Sequence, residues 1–114
     1  MTTTDLTMDI RQVAEGIRVI DISGDITGFS EQAISQAHAK AGVDATAVIL
    51  NFTNLDYMNS GGIGLLVTTL IRAQRSGHSL RAYGLTEHYR EIFSLTRLDE
   101  AIVIYPDEES AIAG

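Results

Sequence analysis

The chain has 114 residues, 45% hydrophobic and 20% charged, a composition typical of one globular domain rather than of a disordered segment. The net charge of -7 argues against non-specific nucleic-acid binding, and the absence of cysteine excludes disulfides, thiolate metal sites and cysteine nucleophiles. The opening MTTTDLTMDI lacks the basic and apolar regions of a signal peptide, and no apolar run approaches the ~20 residues that span a bilayer. We therefore expect a cytoplasmic protein with no membrane span.

The first half of the chain predicts a hairpin, a helix and a buried strand. Residues 6–13 and 17–23 favour strands joined across a short turn. After a predicted turn at 24–28, a helix is expected to end at Gly42. Its apolar residues at helical spacing are Phe29, Ala33, Ile34, Ala37 and Ala41. The apolar run 47–52 is typical of a central strand buried on both faces.

The second half contains the clearest helical pattern. One apolar stripe combines Ile63, Leu66, Val67, Leu70 and Ile71. Ser60 is the predicted N-cap of this helix, and Gly77 is its predicted end. A strand over 80–85, a helix after Thr86, a strand over 101–105 and a closing helix over 106–112 complete the chain.

The resulting order is β-β-α-β-α-β-α-β-α. Strands that alternate with helices indicate βαβ crossovers, so we predict an α/β fold with a mixed, mostly parallel sheet. The short strands and the chain length fit about five strands in one domain spanning residues 1–114.

The stretch YMNSGGIG, residues 57–64, places a serine before glycines at the start of the best-patterned helix. An enzymatic nucleophile is disfavoured, because the G-x-S-x-G elbow needs glycine where Met58 stands and the predicted loop 53–59 is too long for a sharp elbow. His78 and His88 are expected to be exposed rather than placed as bases. Gly62 and Gly64 give only a weak phosphate-loop signal, so no enzyme, cofactor or metal site is predicted.

A regulatory hydroxyl is another interpretation of Ser60. A phosphoryl group there would meet the backbone N–H groups and positive dipole of a helix N-terminus, and the following glycines would leave it accessible. Serine is also a common structural cap. The residues alone favour the cap.

A basic excess lies between Arg72 and Arg97, with five arginines against two glutamates. Such an excess can steer a charged partner, but solvated helix faces with local ion pairs are the favoured interpretation.

The whole chain resembles a known family. AVILNFTNLDYMNSGGIGLLV (47–67), together with HSLRAYGL, IFSLTRLDEAIVIY and the closing helix, resembles the STAS domain of bacterial anti-sigma factor antagonists of the SpoIIAA and RsbV type. SGDITGFSE resembles the end of that family's second strand, with Gly24 and Asp25 in the Gly-Asp/Glu positions. The sequence departs from the family pattern where Asn59 and Thr27 stand for aspartates and Gly61 stands for a second serine.

This resemblance implies a binding module that is switched by phosphorylation of Ser60. The implied partner is an anti-sigma factor with serine kinase activity and a histidine-kinase-like ATPase fold, which binds the unphosphorylated form. A PP2C-type phosphatase would reset the cycle. The implied partner-binding residues are Asp25, Thr27, Asp56, Met58, Asn59, Ser60, Gly61, Gly62 and Ile63.

Two other functions remain open at this point. The domain can be a non-phosphorylated interaction or scaffold subunit of a signalling or transport assembly. It can also be a binder of a small molecule such as a nucleotide or lipid. A homodimer is compatible with either function.

Overall fold

A computed structural model describes residues 6–114 and confirms the predicted α/β fold. The elements in chain order are β1 (Leu6–Ala14), β2 (Ile17–Ile26), α1 (Glu31–Ala41), β3 (Ala47–Met58), α2 (Ser60–Ser76), β4 (Ser79–Tyr83), α3 (Glu87–Leu95), β5 (Val103–Tyr105) and α4 (Glu108–Ala113). Short 3-10 turns occupy Gly28–Ser30 and Leu98–Glu100. None of the helices described is long and apolar enough to cross a bilayer.

The five strands form one mixed sheet in the order β1-β2-β3-β4-β5. β1 and β2 pair antiparallel as the predicted hairpin, and Gly16 adopts a φ of 72° in the turn between them. The pairs β2–β3, β3–β4 and β4–β5 are all parallel, as expected for strands joined through helices. The carboxyl ends of β2, β3, β4 and β5 therefore meet at one edge of the sheet.

Several predicted boundaries were wrong by a few residues. β2 runs on to Ile26 through the predicted turn, and β5 begins only at Val103, because Leu98–Glu100 form a 3-10 turn. α4 begins at Glu108, where the Asp107 side chain accepts a hydrogen bond from the Ser110 N–H and caps the helix. Pro106 therefore precedes the helix.

The helices divide unequally between the two faces of the sheet. α1, α2 and α3 cover one face and form the main core, in which Phe52 meets Phe93 edge to face with ring centroids 6.2 Å apart. α4 alone packs on the opposite face, where Ala111 is buried with Val19 and Ile49.

A polar network fixes α4 to the sheet. Arg11 donates from Nε to Asp21 Oδ2 at 2.5 Å and from Nη2 to Glu108 Oε1 at 2.6 Å, and the Tyr83 hydroxyl donates to the same Glu108 oxygen at 2.6 Å. The bonds from Arg11 hold the pKa of both carboxyl groups below their usual range, whereas burial and Glu108 raise the pKa of Tyr83. Four charged or polar side chains from three strands and one helix thus provide hydrogen-bond partners for one another.

His78 is buried, contrary to the prediction that it would be exposed, whereas His88 is exposed as expected. The Nε2 atom of His78 lies 2.9 Å from Nε2 of His38 on α1. Burial is the main cause that lowers the pKa of both rings, that of His38 to about 4. Burial therefore favours the neutral form of both rings.

Candidate functional site

The candidate site forms where β2 and β3 end side by side. Asp25 is paired with Tyr57 and Ile26 with Met58, so the two parallel strands reach the edge of the sheet together. The backbone N–H of Asn59 donates to the Ile26 carbonyl at 3.2 Å, which ties the start of α2 to the end of β2. This carboxyl-terminal edge is where open α/β sheets commonly bind ligands.

The predicted loop over 53–59 does not exist, because β3 continues to Met58. The last residues of β2 pair with Asn54–Met58 and supply backbone partners that the local residue types did not indicate. Two register shifts accompany this pairing, and Asp56 is the extra residue between the Gly24–Leu55 and Asp25–Tyr57 pairs. Asn59 alone therefore separates strand from helix.

The N-cap of α2 is Asn59 rather than the predicted Ser60. Asn59 has extended backbone, and its side-chain Oδ1 accepts a hydrogen bond from the Gly62 N–H at 2.9 Å. Asparagine and serine cap about equally well, so the residue at the end of the strand takes the position. Ser60 becomes the first helical residue. It is exposed, and its hydroxyl has no hydrogen-bond partner within residues 6–114.

The two glycines after Ser60 allow close backbone packing. A Cβ on Gly62 would lie 2.5 Å from the Ile26 carbonyl oxygen and 2.9 Å from Met58 Cγ. A Cβ on Gly61 would lie 2.8 Å from the Gly28 nitrogen, so glycine at 61 lets the 3-10 turn approach α2. All three distances are shorter than real Cβ contacts. The glycines therefore bring β2, the 3-10 turn and α2 together at Ser60.

The 3-10 turn beside Ser60 carries a fully exposed aromatic ring. Thr27 Oγ1 accepts from the Phe29 N–H at 3.2 Å, and Ser30 Oγ accepts from the Thr27 N–H at 3.0 Å, which makes a reciprocal cap. Phe29 is 98% exposed, so its prediction as part of the buried helical stripe was wrong. Ala33 is also exposed. The reason is that α1 starts only at Glu31, and the side of the helix that packs on the sheet carries Ile34.

The outward face of α2 continues the apolar surface away from Ser60. Val67 is 39% and Ile71 44% exposed, although both were predicted to be buried. Gly62 must fit at the junction of β2 and β3. The buried face of the helix is therefore not the predicted apolar stripe but the face that carries Gly62, Leu66, Thr69 and Ala73. Ser60, Gly64, Val67 and Ile71 follow helical spacing, so they share the solvent-facing side.

The remaining predicted residues surround this point. Ile63 is half-buried in the first turn of α2, and Met58 is buried in the core. Asp56 is exposed and Asp25 half-buried, and within residues 6–114 neither carboxylate has a hydrogen bond or an ion pair. The structure therefore places the predicted residues at one edge, with two unpaired acids close in sequence to Ser60 and Thr27.

Tyr89 is a positioning residue that the sequence analysis missed. Its buried hydroxyl accepts a hydrogen bond from the Met58 N–H at 2.9 Å, which anchors the end of β3 directly before Asn59. The sequence pattern indicated only that Tyr89 belongs to the helix predicted after Thr86. The available signal was that a buried tyrosine usually finds a partner for its hydroxyl.

Comparison with known proteins gives a consistent family match. The model of the STAS domain family matches residues 10–111. The anti-sigma-B factor antagonist of Bacillus subtilis (strain 168) is 24% identical over 108 residues, which cover 95% of this chain and 98% of that protein.

Two solved structures show the same fold. The phosphorylated form of SpoIIAA, described as a Bacillus cell fate determinant, is 22% identical with a TM-score of 0.67, covering 94% of this chain and 97% of that chain. A sulfate transporter family protein from Wolinella succinogenes is 14% identical with a TM-score of 0.77, covering 90% of this chain and 87% of the other. At these identities the likeness concerns the fold alone.

Proposed function

Because the chain belongs to the STAS domain family, we propose that it is a cytoplasmic anti-sigma factor antagonist whose surface around Ser60 binds an anti-sigma factor. The observation that carries this proposal is the Ser60 hydroxyl at the exposed start of α2, which forms no hydrogen bond to any described residue and lies beside the exposed Phe29 turn. The similarity to an anti-sigma-B factor antagonist over nearly the whole length of both chains supports an antagonist function rather than another function found in the family. The protein acts as a binding module rather than an enzyme.

The proposed switch is phosphorylation of Ser60 by the bound partner, an anti-sigma factor with serine kinase activity. A phosphoryl group adds about -1.5 to -2 charge at neutral pH. It would enter an interface that already contains the carboxylates of Asp25 and Asp56, which have no ion pair among the residues that the structure describes. Like-charge repulsion and desolvation then favour release of the kinase, and a PP2C-type phosphatase restores binding.

The departures from the family pattern are compatible with this switch. Asn59 keeps the capping bond to the Gly62 N–H that an aspartate would make, but it brings no negative charge beside Ser60. Thr27 likewise caps the 3-10 turn through its hydroxyl. These replacements preserve the backbone of the site and remove two charges that would oppose a phosphate.

The direct test is a phosphorylation assay with the histidine-kinase-like serine kinase encoded nearest this gene. With ATP, we expect one phosphate per chain, located at Ser60 by mass spectrometry. The variant Ser60→Ala should accept none, and the control Ser94→Ala, which alters an exposed serine on α3, should be modified normally. No phosphate on a protein that still binds the active kinase would contradict the switch and favour the scaffold function.

Phe29 is expected to be an anchor for the partner. Replacing Phe29 with alanine should weaken the complex about 30-fold, or about 2 kcal/mol, as for aromatic residues that fill a pocket at an interface centre. Stability should change little, because the ring is 98% exposed in the free protein. Isothermal titration calorimetry and thermal unfolding measure the two effects.

Leu95→Ala is the matched control for Phe29→Ala, since Leu95 is 77% exposed at the far end of α3. It should leave affinity unchanged. Equal losses in the two variants, or none in either, would show that Phe29 does not contact the partner.

A further inference from the structure

A second candidate site lies at the other end of α2. A cavity of about 430 Å³ opens between the carboxyl-terminal halves of α1 and α2. Its walls include Ser35, His38, Val43, Arg72, Arg75 and His78. Arg72 follows Ser60 by 12 positions, which is about 18 Å along a helix axis. The cavity is therefore separate from the proposed partner surface.

The cavity has two arginines that form no ion pair with an acidic residue of the part of the chain that the structure describes. Arg72 is half-buried and donates from Nη1 to the Ser35 hydroxyl at 2.8 Å. Arg75, one turn further along, is exposed and donates no hydrogen bond within residues 6–114. Both ion pairs found in that part of the chain belong to Arg11. In a protein of net charge -7, these two guanidinium groups concentrate positive charge at one cavity.

The buried histidine pair forms the inner wall. Only one proton can lie between the two Nε2 atoms, which are 2.9 Å apart, so the pair has two neutral tautomeric arrangements. His78 Nδ1 is the only buried side-chain nitrogen or oxygen without a hydrogen-bond partner in the described residues. Buried polar atoms are normally paired, so this ring nitrogen is an exception, and it belongs to a side chain that lines the cavity.

Glycine at position 42 makes room for this arrangement. A Cβ there would lie 2.9 Å from His78 Cε1 and 3.1 Å from the His38 carbonyl oxygen. Gly42 itself has an ordinary helical φ of -82°, so its lack of a side chain is needed for the packing of the His78 ring rather than for its backbone angles.

We propose that this cavity binds the phosphate group of a small phosphorylated molecule through Arg72, Arg75 and the Ser35 hydroxyl. Guanidinium groups match the oxygens of a phosphate by paired hydrogen bonds, and a dianion balances two arginines where a single carboxylate does not. The histidine pair lies behind these groups. A bound dianion favours positive charge on the pair, so binding raises the low pKa of His38 and changes the proton arrangement of both rings.

The test is an NMR titration of the full chain with inorganic phosphate and, separately, with adenosine monophosphate. We expect saturable shifts of the Arg72 and Arg75 Nε–H signals and of the His38 and His78 ring signals. Similar affinities would assign recognition to the phosphate group alone. Tighter binding of the nucleotide would show that a larger monoester fills the cavity beside Val43.

A charge-matched pair of double variants decides whether the site is specific. Arg72→Gln with Arg75→Gln should lower the affinity for phosphate at least about tenfold, the loss expected for a charged hydrogen bond. Arg90→Gln with Arg97→Gln removes the same charge from exposed positions and should change affinity less than about twofold. Equal losses in both, or no saturable shift at millimolar phosphate, would overturn the proposal.

This site is independent of the switch at Ser60. The variant Ser60→Ala should give the same phosphate titration as the unmodified protein, and the titration needs no kinase. Failure of one proposal therefore leaves the other intact.

Discussion

Replacing Gly62 with alanine is expected to destabilise the protein by about 3 kcal/mol, the upper part of the range for overpacking a tightly packed site. The new methyl carbon would lie 2.5 Å from the Ile26 carbonyl oxygen and 2.9 Å from carbon atoms of both Ile26 and Met58. The same carbonyl accepts the hydrogen bond from the Asn59 N–H. Relief of the overlap moves α2 away from β2 and weakens that bond, so packing and hydrogen bonding are lost together.

Gly64→Ala is the matched control, because it adds the same methyl group two residues later in the same helix. Gly64 is exposed, and a Cβ there would meet nothing within 4 Å. Alanine should stabilise this position by about 0.5–1 kcal/mol through its higher helix propensity. Urea unfolding of both variants measures the contrast. A Gly62→Ala protein as stable as the parent would show that the junction of β2 and α2 is less closely packed.

Replacing Ser60 with aspartate is expected to weaken binding of the anti-sigma factor about 100-fold, or about 2.7 kcal/mol, if the proposed function holds. The new carboxylate would join Asp25 and Asp56, neither of which forms an ion pair within residues 6–114, in the proposed interface. Aspartate in the first turn of a helix is favourable in the free protein, by about 0.3–1 kcal/mol. The loss of binding should therefore occur without loss of stability.

Ser60→Ala removes the hydroxyl without adding a charge. Its affinity for the anti-sigma factor should be within a few-fold of that of the parent protein. Ser94→Asp adds the same charge at an exposed position of α3 and should also bind normally. Surface plasmon resonance with the purified kinase gives all three affinities. Equal affinities for the alanine and aspartate variants at position 60 would exclude a charge-operated switch there.

The order of elements was predictable because each signal was local. The turn at Gly16 lies between two β-rich runs, and Gly77 ends α2 with a φ of 81°, as the glycine suggested. The resemblance of residues 47–67 to the STAS pattern also singled out Ser60. These features depend on residues close together in the chain.

The predictions were wrong where a segment far away in the sequence determines the local structure. The residues after Phe52 become strand because β2 offers them hydrogen-bond partners, and Asn59 then becomes the cap that Ser60 was predicted to be. The rotation of α2 that exposes Val67 follows from the space available to Gly62. His78 is buried because it meets His38, 40 positions earlier, which no periodicity within one element indicates.

The contact between Gly28 and Gly61 links two positions that are far apart in the chain. Because a Cβ at 61 would lie 2.8 Å from the Gly28 nitrogen, the identity of residue 61 determines how near the Phe29 turn can lie to Ser60. A serine at position 61 of this chain would push that turn away from the helix. We therefore expect positions 28 and 61 to vary together among related sequences, because a change at either one alters where Phe29 lies beside Ser60.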